Sequence, residues 1–215
     1  MHIPDGIVSA QVCAAGYGLT GLLTWHSLRK INKQGDPSGN VPKAALLTAA
    51  FFVASSLYIP IPPSSVHLLL NGLLGVVLGY FAFPAILIGL FFQALIVGHG
   101  GLTTLGLNAT MMGLPALLAH HIFRLRPLAK GTGKPLMTGL FAFFGGAFGL
   151  VVTALIFMGI VITTVPADFS AQAEQAAVMT LTIAHIPLAI LEGIFTAMLV
   201  LFLQRVKPEL LGGNP

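Results

Sequence analysis

The chain contains few charged residues and one cysteine. Only 7% of its 215 residues are charged, whereas a soluble domain carries about 25%. The single cysteine, Cys13, excludes an intrachain disulfide and a cysteine-based zinc site. The Lys and Arg residues lie in short clusters between apolar runs, which does not favour nucleic-acid binding. With 56% hydrophobic residues, the chain cannot form a water-facing surface, and we expect a membrane protein.

The apolar runs predict an all-α fold. A membrane-spanning helix needs about 20 apolar residues. Such runs lie at roughly 7–28, 44–60, 66–82, 84–98, 107–123, 136–164 and 183–204, which gives about seven spans. The third and fourth runs are short and are separated by little more than Phe83-Pro84, so either could be tilted or re-entrant. No hydrophilic block is long enough for a second domain, and we expect residues 1–215 to form one transmembrane domain.

The basic residues predict the orientation in the membrane. They form three clusters: Arg29, Lys30, Lys33 and Lys43; Arg124, Arg126, Lys130 and Lys134; and Arg205 with Lys207. Cytoplasmic loops are enriched in Lys and Arg. With about seven crossings, all three clusters lie on one side only if the N-terminus is outside and the C-terminus is inside.

The first residues are expected to carry a free amine. The opening sequence has no basic region, so it is not typical of a secretory signal peptide. Methionine removal generally requires a small second residue, and His2 is bulky. We therefore expect Met1 to be retained, with its amine next to His2.

Three histidines on the predicted outer face indicate a metal site. His2, His67 and His99 supply imidazoles, which suit nickel, copper, zinc and cobalt. The Met1 amine, the deprotonated His2 amide and the His2 ring can bind one metal through fused chelate rings. His67 is the best candidate for a fourth nitrogen, and planar nitrogen sets are preferred by Ni(II) and Cu(II). A histidine at position two is a weak signal by itself, so a packing role is the alternative.

Further polar residues are candidates for a second shell or a metal path. They are Ser64, Gln93, His99, Thr103 and Asn108. Most of them lie around a glycine-rich run at 98–108, where glycines allow close backbone approach or re-entry into the membrane. The same run could be a tight outer turn.

Glu192 is the only acidic residue well inside a predicted span. An ionisable group at that depth is expected to be paired or protonated. A structural hydrogen bond and a role in ion passage are both consistent with it. We add Glu192 to the candidates for the second shell or metal path.

Four stretches of the chain resemble a known family. They are the opening Met1–Gly6, His67 after Pro-Pro-Ser-Ser, the run 98–106, and Glu192-Gly193. Together they are similar to the substrate-binding S-components of energy-coupling-factor transporters for nickel and cobalt, of the NikM/CbiM kind, over nearly the whole chain. The resemblance implies a helical bundle with an extra N-terminal helix. It also implies metal binding by the Met1 amine, the His2 amide and ring, and His67.

The resemblance also implies partners and a location. S-components work with a transmembrane coupling (T) component, two cytoplasmic ATPases and, in these families, a small accessory membrane subunit. The chain contains no G-x-x-x-x-G-K-[ST] motif, so it has no ATP site of that kind. By the same analogy, Ala45 and Ala49, at a small-xxx-small spacing, are the candidate contact with the coupling protein. The resemblance implies a multi-pass protein of the prokaryotic cell (inner) membrane.

The expected cargo is Ni(II), with Co(II) as the alternative. Pro4-Asp5 is more similar to the nickel members, and a planar nitrogen set agrees. Another class of function is a self-sufficient secondary transporter with Glu192 and His185 as a proton relay. A metalloenzyme is disfavoured because no H-E-x-x-H motif occurs, and we expect no enzymatic activity.

Overall fold

The chain folds mainly into helices. The structure is a computed structural model that describes residues 1–61, 64–126, 135–164 and 171–211, with the side chains of 58–66 and 171–178 outside the description. The α-helices are α1 Ala10–Asn32, α2 Val41–Ser56, α3 Asn71–Leu78, α4 Ala82–Phe92, α5 Leu105–Arg124, α6 Pro135–Thr164 and α7 Ala171–Val206. Short 3-10 helices cover Ser38–Asn40, Gly79–Phe81 and Pro208–Leu211, and a π-helical turn covers Gln93–Val97.

Long apolar helices confirm the predicted membrane class. Within the described ranges, Asn71–Val97, Pro135–Thr164 and Met179–Val206 are long and apolar enough to cross a membrane by length and composition, although the first of them is interrupted at Gly79. Each lies within or overlaps predicted spans. Lys130 and Lys134 of the second basic cluster lie outside the described residues.

A β-hairpin between α2 and α3 was not predicted. Strands β1 (Tyr58–Ile61) and β2 (Ser64–His67) pair antiparallel, with Tyr58 opposite His67. The predicted spans 44–60 and 66–82 extend helix into this segment. Prolines at 60, 62 and 63 prevent that, because proline lacks the backbone N–H of a helix and restricts the preceding residue to extended conformations. The hairpin places His67 directly before α3.

The apolar stretch Asn71–Val97 folds back on itself. A straight helix would place Gln93 about 33 Å from Asn71. However, Gln93 hydrogen-bonds His2, and His67 lies against Met1, so both parts of the stretch reach the N-terminus. The break is at Gly79, with φ +62 and ψ −127, values that an L side chain rarely adopts. The predicted break at Phe83-Pro84 lies instead inside the first turn of α4, where proline is tolerated.

Close packing of α3 on α6 fixes the start of α3. A Cβ atom on Gly149 would lie 2.5 Å from the Gly72 Cα, so only glycine allows this approach. The approach places the buried Asn71 amide within reach of Thr153 Oγ1 at 2.8 Å and the Met112 carbonyl at 3.0 Å. The segment that follows His67 is therefore anchored to both α5 and α6.

Candidate metal centre

The first residues of the chain are buried against α5. Met1 is 6% exposed and Ile3 is 1% exposed. The Ile3 N–H donates to Asn108 Oδ1 at 2.9 Å, and Asn108 Nδ2 donates to the Ile3 carbonyl at 3.0 Å. Thr104 Oγ1 donates to the same carbonyl at 2.7 Å. Both backbone polar groups of Ile3 are thus satisfied, which makes burial of this terminus favourable.

Asp5 holds the same segment from the other side. Its carboxylate accepts hydrogen bonds from Thr103 Oγ1 at 2.6 Å and from the N–H groups of Leu102, Thr103 and Thr104 at 3.0–3.3 Å. The hydrogen bond from the Thr103 side chain, together with those backbone bonds, lowers the pKa of Asp5. Because these donors immediately precede α5, Asp5 is an anion at a helix N-terminus. Gly6, with φ +85, then turns the chain toward α1.

The Met1 amine and the His67 ring meet in this buried region. The amine nitrogen lies 2.6 Å from His67 Nε2. Burial lowers the pKa of the Met1 amine to about 5, and burial together with the nearby amine lowers the pKa of His67 strongly. Both nitrogens are therefore unprotonated at neutral pH and present lone pairs. Their separation is close to the about 2.8–3.0 Å expected for adjacent nitrogens on one metal with bonds of about 2.0–2.1 Å.

The ring of His2 is oriented by Gln93. Gln93 Nε2 donates to the Phe52 carbonyl at 3.3 Å and also to Ser55 Oγ. A carbonyl only accepts, so these contacts fix the orientation of the amide, and Gln93 Oε1 faces His2 Nε2 at 3.0 Å. His2 Nε2 must then carry the hydrogen, which leaves Nδ1 as the lone pair. Burial, with the nearby amine, also lowers the pKa of His2 to about 3.

Nδ1 is the ring nitrogen that chelation requires. It lies on the side of the ring that can close a chelate ring with the backbone amide of His2. A metal-bound imidazole usually donates its other N–H to an oxygen acceptor, which fixes the tautomer. Gln93 occupies that position.

His99 packs against the two other imidazoles. Its ring centroid lies 5.6 Å from that of His2, nearly parallel, and 6.2 Å from that of His67. The π-helical turn and Gly98, at φ +68, place it there, and the His99 N–H donates to the Gln93 carbonyl at 3.2 Å. Such π-helical turns are frequent at functional sites. His99 thus lies beside the proposed donors.

Glu192 supports the chain after His67. It is 1% exposed, and its carboxylate accepts from the Leu69 N–H at 2.5 Å and the Leu70 N–H at 3.1 Å. Leu70 has φ +53, a strained value for a non-glycine residue. Helix α7 thereby holds the segment that carries His67. His185 Nδ1 contacts the Leu181 carbonyl of its own helix at 2.6 Å.

Sequence reasoning missed several residues of this site. Asp5, Ser55 and Asn71 were not predicted to take part. Asp5 could have been suspected, since an acidic residue in a Pro-Asp-Gly turn is a natural anion cap for a neighbouring helix. Ser55 gave no signal in an apolar helix. The side chain of the predicted Ser64 lies outside the described residues.

The donors form an unusual set. Among the described residues, no group of three or more His, Cys, Asp or Glu side chains is arranged to hold a metal ion. The Met1–His2–His67 arrangement differs because half of its nitrogens belong to the backbone. The proposed metal site therefore does not need a cluster of three or more metal-binding side chains.

The predicted contact residues Ala45 and Ala49 lie in an apolar groove. The groove has a volume of about 530 Å³ and is lined by residues of α2 and α4, with Phe81 at one end. Gly89 allows the two helices to approach closely, because a Cβ there would lie 2.6 Å from the Phe51 ring. The groove is apolar apart from Thr48.

Known proteins resemble this chain over nearly its whole length. It is 32% identical to the fused nickel transport protein NikMN of Rhodobacter capsulatus, over 98% of this chain and 64% of that longer protein. Two solved structures of transition metal transporters share the fold. One, a truncated form, has a TM-score of 0.75 at 26% identity and covers 95% of this chain and 99% of that one. The other has a TM-score of 0.75 at 27% identity and covers 96% of this chain and 93% of that one.

The family assignment rests on a match along almost the entire sequence. The sequence model described as "Cobalt uptake substrate-specific transmembrane region" matches residues 2–210. The matched range includes His2, His67 and Glu192. The chain therefore belongs to the CbiM family of transmembrane metal-uptake proteins.

Proposed function

We propose that this chain is the substrate-binding subunit of an energy-coupling-factor importer, and that it captures Ni(II), with Co(II) as the alternative. The observation that carries the proposal is the buried Met1 amine, 2.6 Å from His67 Nε2 and adjacent to a His2 ring held by Gln93. Membership of the cobalt-uptake family and the similarity to a nickel transport protein support this choice of cargo.

Four nitrogens bind the metal in this proposal. They are the Met1 amine, the His2 amide, His2 Nδ1 and His67 Nε2. The first three belong to consecutive chelate rings, so the chain loses little entropy on binding. A planar nitrogen set suits Ni(II), and it would also accept Cu(II). Selectivity must then depend on the residues that surround the four nitrogens or on metal supply.

The proposal includes the arrangement in the membrane. One domain, residues 1–215, crosses the prokaryotic cell (inner) membrane seven times, with the N-terminus outside and the C-terminus inside. Arg29 and Lys30 at the end of α1, Arg124 at the end of α5 and Arg205 at the end of α7 support this orientation, because cytoplasmic ends are enriched in such residues. The metal then enters from the outer side.

Energy must come from other subunits. We infer a transmembrane coupling component, two cytoplasmic ATPases and a small accessory membrane subunit. The name of the relative NikMN, a fused protein that extends beyond this chain, supports a further component. The groove at Ala45 and Ala49 is the proposed contact with the coupling component, since small residues allow close helix packing.

The decisive experiment compares metal content in matched variants. The untagged chain is purified with its native N-terminus, and bound metal is measured by elemental analysis and by its d–d absorption band. One equivalent of metal is expected, and it should be lost in His2→Ala and in His67→Ala. His26→Ala is the control, because His26 is exposed and lies near the far end of α1. Nickel retained in both site variants would overturn the proposal.

Among the described residues, no hydrogen bond joins Glu192 to His185, which a direct proton relay would require. Glu192 accepts bonds from main-chain amides, and His185 contacts a carbonyl of its own helix. Metal uptake by this chain alone in liposomes, driven by a proton gradient, would nevertheless establish that alternative.

A further inference from the structure

A second cavity lies at the opposite end of the molecule. Its volume is about 450 Å³, within the range of small-molecule sites. Helix α5 connects the two regions: Asn108 near its start bonds Ile3, whereas Arg124 at its end lines the cavity. The 16 residues between them correspond to about 24 Å. This cavity is therefore separate from the proposed metal site.

The cavity is positively charged. Lys43, His120, Arg124 and Arg126 line it, and its lining contains no Asp or Glu. Within the described ranges, the half-buried Lys43 ammonium donates to the carbonyls of Val77 at 3.3 Å and Leu210 at 3.0 Å, and Arg126 donates to the Leu211 carbonyl at 3.2 Å. These partners satisfy hydrogen bonds, but they do not neutralise charge. Partly desolvated cations with no acidic side chain in the described lining of the cavity favour binding of an anion.

Helix ends change this charge only moderately. Helices α3 and α5 end at the cavity and contribute about −0.5 each, while α2 begins there and contributes about +0.5. Against three full positive charges, the sum stays near +2.5. The first turn of α2 adds little to anion binding, because the Val41 N–H already donates to the Ser38 carbonyl and Pro42 has no N–H.

His120 supplies a further donor. It lines the cavity, and its buried Nε2 has no hydrogen-bond partner among the described residues. Buried polar atoms are normally satisfied, so such an atom indicates a missing partner. Lys, Arg and imidazole donors converging on one space are typical of phosphate recognition.

The cationic cavity adjoins the apolar groove between α2 and α4. Phe81 lines both the cationic cavity and the apolar groove of α2 and α4. A ligand that fills both spaces has an anionic head and an apolar tail. Basic sites between transmembrane helices commonly bind anionic lipid headgroups.

We propose that the cavity binds the phosphate group of an anionic phospholipid, with an acyl chain in the adjoining groove. The groove also contains Ala45 and Ala49, so the lipid and the proposed coupling protein would compete for it. The site needs no metal, and its test is independent of the proposed cargo.

Lipid retention by the purified full chain tests the proposal. The protein in neutral detergent is titrated with phosphatidylglycerol or with zwitterionic phosphatidylcholine, and bound lipid is counted by native mass spectrometry. The wild type should bind one phosphatidylglycerol at least tenfold more tightly than phosphatidylcholine. Lys43→Gln combined with Arg126→Gln should weaken that binding by about thirtyfold, since each cation contributes about 1 kcal/mol.

Matched controls separate the cavity from the general surface charge. Lys33→Gln combined with Arg29→Gln removes the same charges from exposed positions outside the cavity lining, and its affinity should stay within twofold of the wild type. Equal binding of both lipids by the wild type would overturn the proposal whether or not the variants fold. An equal loss in the control pair would also overturn it. Binding of soluble glycerol phosphate with no lipid preference would overturn the lipid as the source of the phosphate.

Discussion

Replacing Gln93 by methionine tests whether the orientation of the His2 ring controls metal affinity. Methionine keeps a similar length and volume but removes the acceptor of the 3.0 Å hydrogen bond from His2 Nε2. The His2 ring can then carry its hydrogen on Nδ1, which is the nitrogen needed for chelation. Gln93 is fully buried, so no water replaces it without rearrangement.

The expected loss follows from hydrogen bonds of the same kind to metal-binding histidines. Removing such a partner typically weakens metal binding tenfold to a hundredfold, which is about 1.4–2.7 kcal/mol. This loss should appear in the metal dissociation constant, measured by competition with a chelator of known affinity. Gln11→Met, at an exposed position of α1, is the matched control and should bind like the wild type.

Stability must be measured separately from affinity. The same substitution removes the Gln93 contacts with Phe52 and Ser55, which can destabilise the metal-free protein by about 1–3 kcal/mol. Thermal unfolding without metal measures that effect alone. A folded Gln93→Met variant whose dissociation constant stays within threefold of the wild type would refute the orienting role of Gln93.

Three further predictions concern the supports of the site. The pKa of Asp5 is lowered from 3.8 in the folded state, so the Asp5 carboxylate stabilises the folded protein fully above that pH and loses this effect as the pH falls below it. The difference in apparent Tm between wild type and Asp5→Asn should therefore shrink on acidification, and a constant difference would contradict this. Glu192→Gln should weaken metal binding about tenfold by loosening the chain after His67, as measured by chelator competition, and unchanged affinity would exclude the role. Gly72→Ala places a Cβ 2.5 Å from the Gly145 carbonyl and should destabilise by about 1–3 kcal/mol in thermal unfolding, whereas Gly18→Ala, which meets no atom within 4 Å, should not.

The sequence predicted the helices well because the bilayer imposes a simple rule. Every spanning segment must be apolar and must satisfy its own backbone, so long apolar runs such as Pro135–Thr164 are recognisable without any alignment. The helix break at Gly79 was harder to predict from the sequence. The chain has 25 glycines, and composition does not reveal which of them has a positive φ. Proline is easier to recognise as a helix breaker, yet Pro84 lies in the first turn of α4 and does not interrupt it.

The sequence predicted the donors of the candidate site and several polar residues beside them, but not the contacts that hold them in place. Met1, His2 and His67 supply an amine and imidazoles, which are recognisable from the sequence as metal-binding groups. Whether they bind metal stays a prediction. Asn108 and Gln93 were predicted to lie near the metal site, but their hydrogen-bond partners were not predicted. Glu192 illustrates the reason: it binds the main-chain amides of Leu69 and Leu70, which any residue type would supply. Contacts to backbone leave no signature in the sequence of the partner.

The burial of Met1 has a consequence for how the protein is made. A formyl or acetyl group on its nitrogen would remove the lone pair and would need space beside His67, where the amine already lies at 2.6 Å. On the proposed coordination, a chain can be fully inserted and helical and still be unable to bind metal. Deformylation of the nascent chain would then be the step that activates it, and inhibiting the deformylase should yield folded protein without cargo.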